Sequence, residues 1–303
     1  MSSTDEEADE VCANCGKAAV DDIKLKKCAC NLVQYCNVDC QKDHRPQHKK
    51  ACKKRMGEIR DETIFAQPDS THFGDCPICL LPLPIDPGKW MLNSCCCKRI
   101  CIGCDYANKK LREADQRLDQ ECPFCREPIR QGNEQIEQDQ MKRVQANDNR
   151  LQMGKKCYFG GDYDGAFKYF TKSAELGDMD GHYELSCLYE QGRGVEMNDK
   201  KRVHHLEKAA VGGHLNARFN LGVEESRNGR IDRMIKHFTI AAYLGDDGAL
   251  EEVKKGYQRG YVSKEDFETA LRRHQAAVNE TKSEQRAAAE ANSHYCNQMS
   301  QRG

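Results

Sequence analysis

Residues 28 to 52 read CACNLVQYCNVDCQKDHRPQHKKAC, with five cysteines and two histidines in 25 residues and a histidine four places before the final cysteine. An imidazole and a thiolate at i and i+4 of a helix share one face and can reach the same ion. RPQHKKAC is compatible with such a helix, since Pro46 is tolerated in a first turn. Working outward, residues 12–52 offer Cys12-x2-Cys15, Cys28-x-Cys30, Cys36-x3-Cys40 and His48-x3-Cys52, eight soft or borderline ligands and enough for two tetrahedral zinc sites.

The cysteine distribution extends this reading. Of 19 cysteines, 16 lie between Cys12 and Cys125, and only Cys157, Cys187 and Cys296 follow. Dense thiols of this kind in a reducing compartment bind metal rather than pair as disulfides. The apolar fraction of 38% and the mean hydropathy of -0.84 point to several small modules in 303 residues rather than one large core. A formal net charge of -1 gives no bulk attraction to nucleic acid or to an anionic membrane. No apolar run is long enough to span a bilayer, and MSSTDEEADE is acidic where a signal peptide is basic and then apolar. The expectation is an intracellular protein, cytoplasmic or nuclear.

A second cysteine-rich block reads CPICLLPLPIDPGKWMLNSCCCKRICIGC and, after a charged stretch, ECPFCREP. The pairs Cys76/Cys79, Cys101/Cys104 and Cys122/Cys125 each have two intervening residues, so a tight turn can aim both thiolates at one ion. Together with the Cys95, Cys96, Cys97 triplet they imply a second two-zinc module.

The motifs CANC, KKCAC, QYC, NVDC and HKKAC resemble those of MYND zinc fingers over about forty residues. By that resemblance Cys12, Cys15, Cys36 and Cys40 hold one zinc, and Cys28, Cys30, His48 and Cys52 hold another. Two departures stand out: Cys28 and Cys30 have one intervening residue where two are usual, and His44 occupies an aromatic position. His44 could compete with His48 as a ligand, although His48 has the matching spacing to Cys52. MYND fingers bind short peptide segments of partner proteins, often proline-containing. The run Lys49, Lys50, Lys53, Lys54, Arg55 reads as a solvated helix face beside thiolate-bound zinc, in preference to a nucleic-acid or nuclear-import patch. No Asn-His-x-Cys signature of a SET methyltransferase is present in the sequence.

The second block resembles a RING domain, which implies a cross-brace: Cys76, Cys79, Cys101 and Cys104 at one zinc, and Cys122, Cys125 with two of the triplet at the other. Lys98 stands where the usual RING has a histidine, so an all-cysteine variant is implied. Cys95 and Cys96 are favoured because RING variants with a CCG run keep glycine at the third place; Cys97 could substitute for either. The resemblance assigns contact with a ubiquitin-conjugating enzyme to Ile78, Pro123 and Arg126, while the frequent Trp is absent and Leu111 or Leu118 stands in its place. All four zinc ions would be structural, in closed sites without a position for an activated water, and no residue of the chain would be catalytic.

From about residue 147 a period replaces the cysteines. Aligning Gly177, Gly213 and Gly245 gives spacings of 36 and 32 residues, each glycine closing a helix (AFKYFTKSAELGD, VHHLEKAAVGGH, MIKHFTIAAYLGDD) that follows another (RLQMGKKCYFGGD, GHYELSCLYEQGRGV, ARFNLGVEESRNGR). Ala174, Ala210 and Ala242 permit close helix approach; Leu185, Leu188, Leu221, Phe238 and Tyr243 are expected in the core, with Cys157 and Cys187 as small core residues. These resemble Sel1-like repeats, relatives of the tetratricopeptide repeat, ending in SKEDFETALRRHQAAV as a cap with Ser263 and Asp266 at its start.

The expected fold is thus two small zinc-stabilised modules, MYND and RING-like, followed by an α-helical Sel1-like solenoid. The segments are an acidic tail (1–11), the finger (12–52), a linker (53–75), the RING-like block (76–130), a helical linker (131–146), the repeats (147–280) and a frayed tail (281–303). The expected function is zinc-dependent protein interaction, either as a ubiquitin ligase whose finger and repeats select substrate or as a non-catalytic adaptor.

Overall fold

The computed structural model describes residues 11–19, 24–93, 95–114, 121–128, 150–292 and 295. The acidic tail up to residue 10, Leu118, the linker 131–146 and the tail beyond 295, with Cys296, lie outside the described residues. The chain divides into two units, 1–66 and 67–303.

In the first unit a short antiparallel hairpin, β1 (Lys26–Lys27) and β2 (Gln34–Tyr35), precedes one helix, α1 (Val38–Ile64). The Asn37 side chain caps α1 by accepting from the Cys40 N–H at 2.8 Å. The helix therefore starts before RPQHKKAC, and Pro46 lies in its interior rather than in a first turn. Proline has no N–H, so the Lys42 carbonyl is left without its i+4 donor. Past Cys52 the helix continues to Ile64 through residues expected to be linker, where Arg55 pairs with Glu58 at 3.2 Å and Glu62 at 2.8 Å. Lys49, Lys50, Lys53 and Lys54 are exposed on it, in line with a solvated face. The core consists of Cys12, Cys28, Cys30 and Tyr35, with Leu25 and Val33 against them, far too little apolar surface for a fold to stand on alone.

In the second unit, hairpin β3 (Trp90–Asn93) and β4 (Lys98–Cys101), with Trp90 opposite Cys101, leads into α2 (Ile102–Ala114). Leu83 and Ile100 form its core with the cysteines, and Phe73 and Trp90 cover them. Nine further helices follow among the described residues: α3 (Arg150–Phe159), α4 (Tyr163–Glu175), α5 (Met179–Gln191), α6 (Asp199–Val211), α7 (Leu215–Arg227), α8 (Ile231–Tyr243), α9 (Asp247–Gln258), α10 (Lys264–Glu280) and α11 (Glu284–Glu290).

The starts of α4, α6 and α8 are separated by 36 and 32 residues, the same spacings as the period glycines. Gly177, Gly213 and Gly245 all take left-handed φ, 84°, 82° and 93°, which a side chain would strain. The next residue in each repeat caps the following helix: Asp178 accepts from the Asp180 N–H, His214 Nδ1 from Ala217 and Asp246 from Ala249. Ala210 and Ala242 are fully buried and Ala174 nearly so, Phe170, Leu185 and Leu188 fill one core, and Leu215, Phe238 and Val253 fill another. Cys157 packs against the first of these. Ser263 caps α10 through the Asp266 N–H at 3.0 Å, and its hydroxyl donates to the Asp266 carboxylate at 2.7 Å.

Part of the expected linker 53–75 and part of the expected frayed tail are built structure. Residues 67–75 run along the repeats, with the His72 N–H donating to the Gly213 carbonyl at 3.2 Å; a Cβ on Gly213 would lie 2.4 Å from the Ser70 carbonyl oxygen. The tail expected to fray from 281 instead forms α11 and packs on α2, burying Ala289 and Tyr295 with Ile102 and Tyr106. Its alanines and polar residues look unstructured alone because their partner is nearly two hundred residues away.

Candidate metal centres

One cysteine pair in each centre is made by the same backbone device. The N–H of the first cysteine donates to the carbonyl five residues on: Cys12 to Lys17, Cys28 to Val33, Cys76 to Leu81 and Cys122 to Glu127, at 2.8 to 3.0 Å. The residue after the second cysteine is left-handed in all four: Gly16 (φ 71°), Asn31 (58°), Leu80 (59°) and Arg126 (59°). That turn carries the chain back so that both sulfurs point to one side. Cys28 and Cys30 achieve it with a single intervening residue, because the Asn31 N–H bonds to Cys28 one place earlier than the corresponding N–H of the longer loops.

Four groups of ligand atoms converge: Cys12, Cys15, Cys36, Cys40; Cys28, Cys30, His48, Cys52; Cys76, Cys79, Cys101, Cys104; and Cys95, Cys96, Cys122, Cys125, the atoms of each lying within 4.8 Å of one another. The two sets in each module interleave along the chain. Neighbouring sulfurs stand at 3.6 Å (Cys15 to Cys36), 3.8 Å (Cys28 to Cys52), 3.9 Å (Cys76 to Cys104), 3.8 Å (Cys96 to Cys122) and 3.4 Å (Cys95 to Cys125). A tetrahedron with zinc–sulfur bonds of about 2.3 Å has edges of about 3.8 Å, whereas a disulfide is about 2.0 Å. Cys30 Sγ and His48 Nε2 lie 3.1 Å apart, a shorter edge, as a mixed sulfur and nitrogen pair requires.

Electrostatics point the same way. Burial disfavours the Cys12 thiolate, but backbone N–H groups of Cys15, Cys36 and Asn14 outweigh it and bring the thiol down to about 6. In the third group the Cys101 thiol and nearby N–H groups lower Cys76 to about 4 despite burial. Their neighbours move the other way: burial and the adjoining sulfurs push Cys36 up to about 12, Cys52 to about 11 and both Cys96 and Cys104 to about 12. Each group thus stabilises one thiolate and repels the next, and a dication at the centre removes that repulsion. The donor sets and spacing fit zinc.

The neighbouring alternatives are otherwise engaged. His44 Nδ1 lies 3.0 Å from the Tyr35 hydroxyl and its ring stacks on His48, so it supports the ligand rather than replacing it. Cys97 lies outside the fourth group and has φ 54°, the left-handed conformation that suits the glycine of a CCG run. Ile78 and Arg126 are exposed and Pro123 is half-buried. Leu111 is exposed on α2. Burial raises the thiols of Cys157 and, to about 11, Cys187, which keeps both protonated.

One convergence has no signal in the sequence: His72, Asp180 and His214. Asp180 Oδ1 lies 3.5 Å from His72 Nε2 and 3.4 Å from His214 Nε2, and Arg99 donates to Oδ2 at 2.5 Å. Burial opposes ionisation of Asp180, but His214, His72 and Arg99 outweigh it and hold the carboxyl well below its usual range. This is a charge cluster rather than a metal site. His214 Nδ1 accepts a backbone N–H, so Nε2 carries the proton; the two rings stack at 4.1 Å, which keeps their nitrogens from sharing one in-plane ion; and Asp180 already holds a cation.

Against known proteins, one segment is assigned. Residues 12–52 match the MYND finger family. The MYND finger thus spans the two interleaved groups of the first unit, and the match ends on Cys52. Solved structures similar to the chain include a Sel1 repeat protein from Oxalobacter formigenes, at 21% identity over 43% of this chain and 54% of that one, with a TM-score of 0.36. Another is c5321, a protective antigen of uropathogenic Escherichia coli with an SLR fold, at 18% identity over 54% of this chain and 37% of that one, with a TM-score of 0.38. The chain spans about half or less of the length of each. No curated protein matches. Among the described residues, no helix is long and apolar enough to cross a membrane.

Proposed function

We propose that this chain is a zinc-dependent protein-interaction molecule in which four structural ions hold the MYND finger and the second cysteine-rich module, and the helical repeats present partner-binding surface. The observation that carries this is the convergence of four closed sets of four ligands in modules whose apolar cores are too small to fold alone. Zinc supplies rigidity here; the ligands leave no position for an activated water. A cleft lined by apolar Phe73 and Trp90 and by polar Lys155, Tyr183 and Glu184 suits a peptide segment. Native against denatured mass measures the metal: a loss of four zinc ions on unfolding is expected, and fewer than four overturns the assignment.

The finer reading is that the second module acts as a RING-type ubiquitin ligase that holds a charged conjugating enzyme, with the finger and repeats choosing substrate. Large apolar side chains exposed at its turns and helix, Ile78 at 40%, Leu80 at 74%, Phe124 at 41% and Leu111 at 66%, support it. So does Arg126, an exposed cation held in a left-handed turn that favours glycine. Its work would be orientation of a thioester, not bond-making by this chain. Purified activating and conjugating enzymes should give autoubiquitination that falls at least tenfold in Ile78→Ala and Arg126→Ala with zinc content unchanged. If both variants match the parent, this mechanism is wrong; no activity across a broad panel of conjugating enzymes favours the adaptor.

A further inference from the structure

Arg286, on α11, is 3% exposed and reaches across to the second cysteine-rich module. Its Nη1 donates to the Pro82 carbonyl at 2.7 Å and to Thr281 at 2.5 Å; its Nη2 donates to Leu81 at 3.3 Å and to Cys79 Sγ at 3.5 Å. Leu81 and Pro82 belong to the turn that shapes the Cys76/Cys79 pair, since the Leu81 carbonyl accepts the Cys76 N–H at 3.0 Å. The guanidinium therefore touches a ligand sulfur and the loop that aims it. The approach depends on Gly103, between Cys101 and Cys104, where a Cβ would lie 2.7 Å from the Arg286 backbone nitrogen. Around it, Tyr295 donates to Asp105 at 2.7 Å, Asn292 to the Tyr106 hydroxyl at 3.1 Å, and Lys89 pairs with Glu290 at 3.1 Å.

Burying an arginine costs free energy that hydrogen bonds and a nearby negative charge must offset, and the three carbonyls supply only the first. Four thiolates around one dication leave two formal negative charges, which this guanidinium half neutralises. We infer that α11 is a working part of the third centre: Arg286 is the outer-sphere partner of the Cys76, Cys79, Cys101, Cys104 site, so zinc there is held by two segments about two hundred residues apart. The second module is then not self-sufficient, and loosening the C-terminal helix releases one particular ion.

This inference rests on the zinc reading above, and one experiment separates the two. The full-length protein is challenged with a chromophoric chelator while alkylation by N-ethylmaleimide, read by mass, reports which cysteines open. If the parent holds no ion on Cys76, Cys79, Cys101 and Cys104, the zinc reading fails for that centre and the inference fails with it. Given a loaded parent, Arg286→Gln should release zinc from that centre about 10 to 100 times faster, the range typical of outer-sphere losses, with both MYND centres unchanged. Arg286→Lys, which keeps the charge but not the fork, should fall between. Gly103→Ala, which keeps Arg286 and every ligand residue unchanged but displaces the helix that carries the arginine, should reproduce the loss. Parent-like release in Arg286→Gln and Gly103→Ala, or equal loosening of all four centres, overturns the proposal.

Discussion

Leu80 shows how much a single backbone angle decides. It follows the second cysteine of a turn, at φ 59°, and is 74% exposed, so it bears left-handed strain without recovering it through burial. That strain costs about 1 to 2 kcal/mol for an L-residue, against roughly 0.5 to 1 kcal/mol of extra unfolded-chain entropy for glycine. Leu80→Gly should therefore raise the stability of the zinc-loaded protein by about 0.5 to 1 kcal/mol, read as a higher denaturant midpoint, and Leu80→Val should lower it. The cysteine pairs were legible at this scale because zinc ligation needs particular atoms at particular spacings. Leu80 and Arg126 as strained turn residues were not, since nothing in their chemistry asks for a positive φ.

The repeat helices are the natural scale for pH. His205, on α6, stacks on Tyr189 at 5.6 Å and its Nδ1 lies 3.0 Å from His182 Nδ1 on α5. Burial first, then the nearby His182, His204 and Lys201, lowers its pKa to about 4; burial and His204 and Lys208 lower His182 as well. The folded state thus keeps these rings neutral where the unfolded chain, with a pKa near about 6.5, takes up protons. The unfolded state binds more protons in that window, so helical stability is full above about pH 6.5 and declines as pH falls toward 4. The urea midpoint of the helical signal should drop between pH 7.5 and 5.5, and His205→Gln should flatten that drop; an unchanged slope in the variant would assign it elsewhere. The helices, their period and the Ser263 cap were legible, because glycine and a buried small residue recur in each repeat and Ser263 stands three places before Asp266. The start of α1 is less legible: Pro46 suggests a first turn, but the Asn37 cap satisfies the Cys40 N–H and places the true beginning eight residues upstream.

Over the whole molecule, metal and apolar burial share the stabilising work unequally. A module of some forty to fifty-five residues rarely gains more than about 3 to 5 kcal/mol from its core, while structural zinc contributes roughly 10 to 16 kcal/mol in finger peptides. The repeats bury Phe170, Leu185, Leu188, Phe238 and Val253 in apolar cores of their own. Stripping zinc should therefore abolish amide-exchange protection over residues 12–52 and 76–128 and leave it over 163–258. Retained protection in the first segment would show that the finger stands without metal.

The sequence by itself marked the cysteines and the histidine that converge in four groups, their division into two modules and where a helical repeat begins, because cysteine spacing and periodicity are local properties. Tertiary structure alone decided that residues 67–75 run along the repeats, that His72, Arg99, Asp180 and His214 form one charge cluster, and that Arg286 meets Cys79. Those contacts join positions 34 to more than 200 residues apart, and no local pattern records which distant partner will neutralise a buried charge.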